Sequence, residues 1–124
     1  YLDRCTVRDD RFVMTWLFPD VFVMAERGFA AGHEAFMPGY FSSPSDQERA
    51  LDRPRRQSVP FVLIFRDREG AFRRGFHLLS AHFDRHYEQI AEVPVEQTSA
   101  IRVLVQKDRP VVRVDPDTTW PCFR

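Results

Sequence analysis

Hydrophobic and polar positions divide the chain into segments of different period. Arg11-Phe12-Val13-Met14-Thr15-Trp16 is a β-branched and aromatic run after the charged Arg8-Asp9-Asp10, the pattern of a buried first strand. Pro60-Phe61-Val62-Leu63-Ile64-Phe65 is continuously apolar, as a strand covered on both faces must be, and predicts the central strand. After the charged turn Arg66 to Gly70 the period changes. Phe72, Phe76, Leu79, Phe83, Tyr87 and Ile90 recur at spacings of three and four, which predicts one helix from about Ala71 to Gln89 with this stripe on its buried side. Gly75 costs about 1 kcal/mol in such a helix and does not overturn the period. Further on, Ile101 to Gln106 reads as a strand, Ile90 to Pro94 as its hairpin partner and Val111 to Val114 as another edge, before an irregular Asp115 to Pro121.

Two shorter segments carry helix-end signals. Pro19-Asp20 opens Val21 to Arg27 with proline at the first helical position, an acid in the first turn, a base in the last and Gly28 beyond the end. Its Val-Phe-Val core fits a strand equally well. Ser45 followed by Glu48 fits a capping box, which predicts a helix over Asp46 to Arg53 ended by Pro54. The order of elements implies an α/β fold: a small mixed, mainly parallel sheet with flanking helices, a Rossmann-like three-layer sandwich, and a C-terminal hairpin. A length of 124 residues suits one domain over 1–124, and no repeat or linker divides it.

Between these elements, Gly28 to Ser43 mixes Gly28, Gly32, Gly39 and Pro38 with Phe29, His33, Phe36, Tyr40 and Phe41. A long loop of glycine and aromatic residues is the place to look for function. Arg27, His33, Glu34 and Tyr40 are the candidate ligand-binding residues, gathered near the carboxyl ends of the strands, where open α/β sheets place ligands. The competing reading makes the loop an aromatic cover packed on the sheet.

Composition narrows the chemistry. Eighteen basic residues balance 18 acidic ones, so the positive footprint of a nucleic-acid-binding domain is missing and no nucleic-acid partner is expected. With 44% hydrophobic and 29% charged residues the chain is globular in type, and its longest apolar runs fall far short of the roughly 20 residues that span a bilayer. Neither G-x-G-x-x-G nor G-x-x-x-x-G-K-[ST] occurs, nor a G-x-S-x-G elbow, so no cofactor and no catalytic nucleophile is read from motifs. His82 and His86 share a helix face, but Phe83 stands where a metalloprotease pattern needs glutamate. No metal is expected there. Two cysteines near opposite ends, Cys5 and Cys122, leave both a disulfide and two separate thiols open.

One succession of motifs points further. Tyr1-Leu2-Asp3-Arg4-Cys5-Thr6, Asp10-Arg11 and the run Phe18 to His33 are followed by Asp46-Gln47, Pro54 to Val59, Pro60 to Ile64, His86-Tyr87 and Ile101 to Val105. This succession resembles the soluble segment after the last membrane helices of bacterial multi-pass glycosyltransferases. These are GT-C-like, polyprenyl-phosphate-sugar-dependent enzymes related to protein mannosyltransferases and to aminoarabinose and arabinose transferases. The resemblance implies an extracytoplasmic, periplasmic position at the bacterial inner membrane, the membrane-embedded part of the same polypeptide as partner, and a supporting role toward a lipid-linked sugar or its acceptor. That family's catalytic acid lies in a loop between early membrane helices. No residue here matches it, so none is assigned as catalytic. The start at Tyr1, without an initiator methionine or signal peptide, reads as a piece of a longer protein. A stand-alone soluble α/β binding module fits the neutral charge equally well, and a small enzyme using His33 or the His82/His86 pair has the least support.

Overall fold

The computed structural model describes residues 1–95 and 99–124. Along them run α1 (Leu2–Cys5), β1 (Arg11–Met14), α2 (Pro19–Ala25), β2 (Gly28–Phe29) and α3 (Pro44–Asp52), then β3 (Phe61–Phe65) and a 3-10 turn (Arg66–Arg68). The helices α4 (Glu69–Gly75) and α5 (His77–His86) lead into β4 (Tyr87–Pro94), β5 (Ala100–Gln106), β6 (Arg113–Val114) and β7 (Pro121–Cys122). Five strands form one sheet in the order β2-β1-β3-β5-β4. β1 is parallel to β2 and β3, whereas β5 is antiparallel to β3 and β4. The expected α/β fold with its small mixed sheet is therefore present, and Phe61–Phe65 is its middle strand. A separate β6-β7 pair ends the chain.

Alternation along the strands builds two cores. Phe12 and Met14 of β1, Phe61, Leu63 and Phe65 of β3, and Ile101, Val103 and Val105 of β5 point to one face. Val13, Val62, Ile64 and Leu104 point to the other. Successive residues of a strand face opposite ways, so three pleated strands in register sort their side chains into two rows. The first face is covered by α1, α2 and the C-terminal segment through Leu2, Val21, Phe22, Ala25 and Phe123. The second is covered by α3, α4 and α5 through Ala50, Leu51, Phe72, Phe76, Leu79 and Phe83. Helices on both sides of the sheet make three layers.

The expected single helix over Ala71 to Gln89 is interrupted. α4 ends at Gly75, Phe76 leaves helical geometry at φ −128° and ψ 54°, and α5 starts at His77. Its apolar stripe survives as far as Tyr87, since Phe72, Phe76, Leu79, Phe83 and Tyr87 still enter one core, but Tyr87 begins β4 and Ile90, also expected in the stripe, packs on the opposite face of the sheet. The break has a packing cause: a Cβ on Gly75 would lie 2.9 Å from Pro38 Cβ and 3.3 Å from Pro38 Cα, so the loop before α3 rests directly on this backbone.

Two caps also differ from expectation. α3 is capped by Ser43, whose hydroxyl accepts from Asp46 N at 3.2 Å with Pro44 in the first turn, and not by the Ser45/Glu48 pair. α2 ends on Glu26 in the left-handed region at φ 51°, with Arg27 N donating to Phe22 O at 3.2 Å. Gly28 is instead a β2 residue opposite Arg11, whose guanidinium lies over it. The chain ends are joined by a Cys5–Cys122 disulfide with both cysteines buried, and Phe123 N donates to Cys5 O at 2.8 Å.

Candidate functional site

The loop from Gly28 to Ser43 is part cover and part cavity wall. Ala30 N donates to Phe12 O at 2.6 Å, which fixes the start of the loop to β1. Phe36 is buried between the rings of Phe76 and Phe72, with centroids at 5.3 and 5.8 Å. Edge-to-face packing of this kind anchors the loop by its middle. On either side of that anchor, Phe29, Met37, Tyr40 and Phe41 remain exposed, Tyr40 and Phe41 at 67% and 66%.

These side chains border a cavity of about 480 Å³ lined by Leu17 just past β1, Phe29 at the end of β2, Gly32 to Met37, Tyr40, Phe41 and Phe76. Three of the four candidates converge here: His33, Glu34 and Tyr40 all line it. Arg27 does not. Its buried guanidinium donates to Thr6 Oγ1 at 3.1 Å, Thr6 O at 3.0 Å, Ala25 O at 3.0 Å, Glu26 O at 3.2 Å and Asp3 O at 3.3 Å. Every face of that fork is occupied by the protein's own backbone and Thr6, so Arg27 ties the N-terminal segment to the end of α2. It is not free to pair with a phosphate.

His33 stands between two environments. Its ring packs against Phe36 and Phe41, with centroids at 5.6 and 5.5 Å. Beyond it lies a second, smaller cavity of about 230 Å³, lined by Gly32, His33, Phe41, Asp46, Arg49, Ala50 and Arg53. Burial first, and the Arg53 guanidinium second, hold the His33 imidazole below its ordinary value, with Asp46 opposing them. At neutral pH the ring is therefore mostly uncharged.

Arg49 and Arg53 were absent from the residues picked out by sequence. They come from α3 and its C-terminal residue, about twenty positions after His33, and only the fold brings them to the loop. The local signal was Gly32. It adopts φ +77°, and a Cβ there would fall 1.5 Å from Arg53 Nη1, so the glycine both permits the turn and lets the guanidinium lie against the backbone.

His82 and His86 do sit together, ring centroids 4.6 Å apart, in a third cavity that also holds Arg55 and Arg85. Glu48 lines the same cavity and is ion-paired to Arg55 at 3.8 Å. Among the described residues the one group of potential metal ligands in close array is Cys5, Asp115 and Cys122, and its cysteines are bonded to each other. No helix among the described residues is long and apolar enough to cross a membrane. Compared with protein-family models, curated proteins and solved structures, the chain matches none.

Proposed function

We propose that this chain is a non-catalytic, extracytoplasmic accessory domain of a membrane glycosyltransferase-like protein, and that its Gly28–Phe41 loop supports recognition of a lipid-linked sugar or its acceptor. The observation that carries the reading is the 480 Å³ cavity beside the parallel strands, walled by Phe29, Tyr40 and Phe41. Exposed rings around a concavity stack on sugar faces or settle against acyl chains. The resemblance of the motif succession supplies the context. A buried disulfide between the chain ends agrees with an oxidising compartment.

Solution NMR of the isotopically labelled domain, titrated with detergent micelles and with a short-chain polyprenyl-phosphate sugar, tests this. The expected result is perturbation of Phe29, His33, Met37, Tyr40 and Phe41 without turnover of the sugar. Shifts confined to α5 around His82 and His86, or release of the sugar by the domain alone, would refute the reading.

A further inference from the structure

We infer that Arg53, seated on Gly32, forms an anion subsite next to the aromatic cavity, so that the site as a whole takes an amphiphilic anion, an apolar body joined to a phosphate or carboxylate. The inference rests on reading the loop cavity as the recognition site and adds the chemistry of its ligand. Gly32, His33 and Phe41 belong to the walls of both cavities, which makes the two spaces neighbours. The larger is lined mainly by apolar groups, among them Leu17, Phe36 and Phe76, with Glu34 its acidic member. The smaller carries two guanidinium groups and one carboxylate.

The cations are not equivalent. Asp46 accepts from Arg49 at 2.6 Å, and Ser43 binds the same carboxylate, so that pair is internally satisfied. Glu48 and Asp52, the other acids of α3, face Arg55 at 3.8 and 3.7 Å, and Asp52 also faces Arg56 at 3.4 Å. Among the described residues Arg53 has no carboxylate within ion-pair distance. An exposed arginine without a partner is ordinary. This one is set apart by its place: its guanidinium lies over the Gly32 backbone, in the wall of the smaller cavity that shares Gly32, His33 and Phe41 with the aromatic one. A planar guanidinium in the wall of a cavity is suited to two parallel hydrogen bonds to an oxyanion.

Hexyl phosphate, hexanoate, hexanol and inorganic phosphate, titrated separately into the intact 124-residue domain and followed by amide and histidine NMR shifts, dissect the two halves. We expect hexyl phosphate or hexanoate to bind about tenfold or more tighter than hexanol, since a charge-assisted hydrogen bond contributes about 1.5–3 kcal/mol. The better of the two heads identifies the anion. In Arg53→Gln this gain should vanish while hexanol binding is unchanged, and Arg53→Lys should restore only part of it. Equal affinities for hexanol and both anions, or an unchanged gain in Arg53→Gln, would overturn the anion subsite and leave the cavity reading standing. If neither hexanol nor the anions perturb the loop, both fall.

Discussion

The side chain of Gln47 spans the break between α4 and α5: its Oε1 accepts from Leu78 N at 2.8 Å and its Nε2 donates to Gly75 O at 3.4 Å. A helix that stops leaves carbonyls without partners, and one that starts leaves N–H groups without partners. Here one fully buried amide from α3 serves both, and it also donates to Ser42 O at 2.8 Å. Gln47→Leu keeps the volume and removes all three bonds. We expect it to lower stability by about 2–3 kcal/mol, because buried backbone groups are left unpaired. Urea denaturation measures this, and a loss under half a kcal/mol would show that water or a shifted backbone replaces the amide.

That interruption marks where local pattern stopped being informative. The period from Phe72 to Tyr87 correctly identified the buried stripe, since apolar residues at spacings of three and four must share a face whether or not the helix is continuous. The break depends on Pro38 pressing on Gly75 and on Gln47 reaching across from α3, and both contacts join residues about thirty or more positions apart. β3 was legible for the opposite reason: five consecutive apolar residues need cover on both faces, a demand that only a central strand meets. In the candidate site, His33, Glu34 and Tyr40 were accessible to composition because glycine and aromatic residues cluster in that loop. Arg53 was not, since its position follows from where α3 packs.

Arg27 should behave as a structural residue. Arg27→Met removes the donors that satisfy the carbonyls of Asp3, Thr6, Ala25 and Glu26, those to Thr6 and Ala25 in a buried setting. We expect destabilisation of about 3 kcal/mol or more, as for other broken buried networks, with faster hydrogen exchange in the N-terminal segment. Binding of hexanol to the folded fraction should be unaltered. Loss of that binding in a variant of unchanged stability would return Arg27 to the site.

The disulfide closes a loop across a sequence separation of 117. In the chain-entropy account a closure of this length contributes about 4–5 kcal/mol, much of the 5–15 kcal/mol that holds an ordinary domain. Reduction, or Cys5→Ala with Cys122→Ala, should therefore lower the urea midpoint sharply. Folding need not be abolished, because the Arg4 contacts to Asp115 and Asp117 and the Phe123–Cys5 backbone bond remain. Indistinguishable unfolding curves for the oxidised and reduced protein would mean that these contacts alone fix the chain ends.

The same cavity gives the domain a pH dependence whose sign is fixed by His33. Burial and then Arg53 depress its folded pKa, so in the unfolded chain the imidazole regains a value of about 6.5 and takes up its proton at higher pH. The stability contributed by a neutral His33 is complete above that pH and is lost as the solution is acidified toward the folded pKa. His82, lowered by burial and by His86, acts in the same direction. Carboxylates held low, among them Glu69 beside Arg102 and Arg73, add a further loss only in the more acidic range where they protonate. Stability should thus fall between pH 7 and pH 5, before any carboxylate contributes much. Arg53→Gln removes one of the two causes, and the His33 Cε1 proton should then titrate at higher pH. An unmoved midpoint in that variant would show that burial alone sets the value and that the guanidinium is too well solvated to be sensed across Gly32.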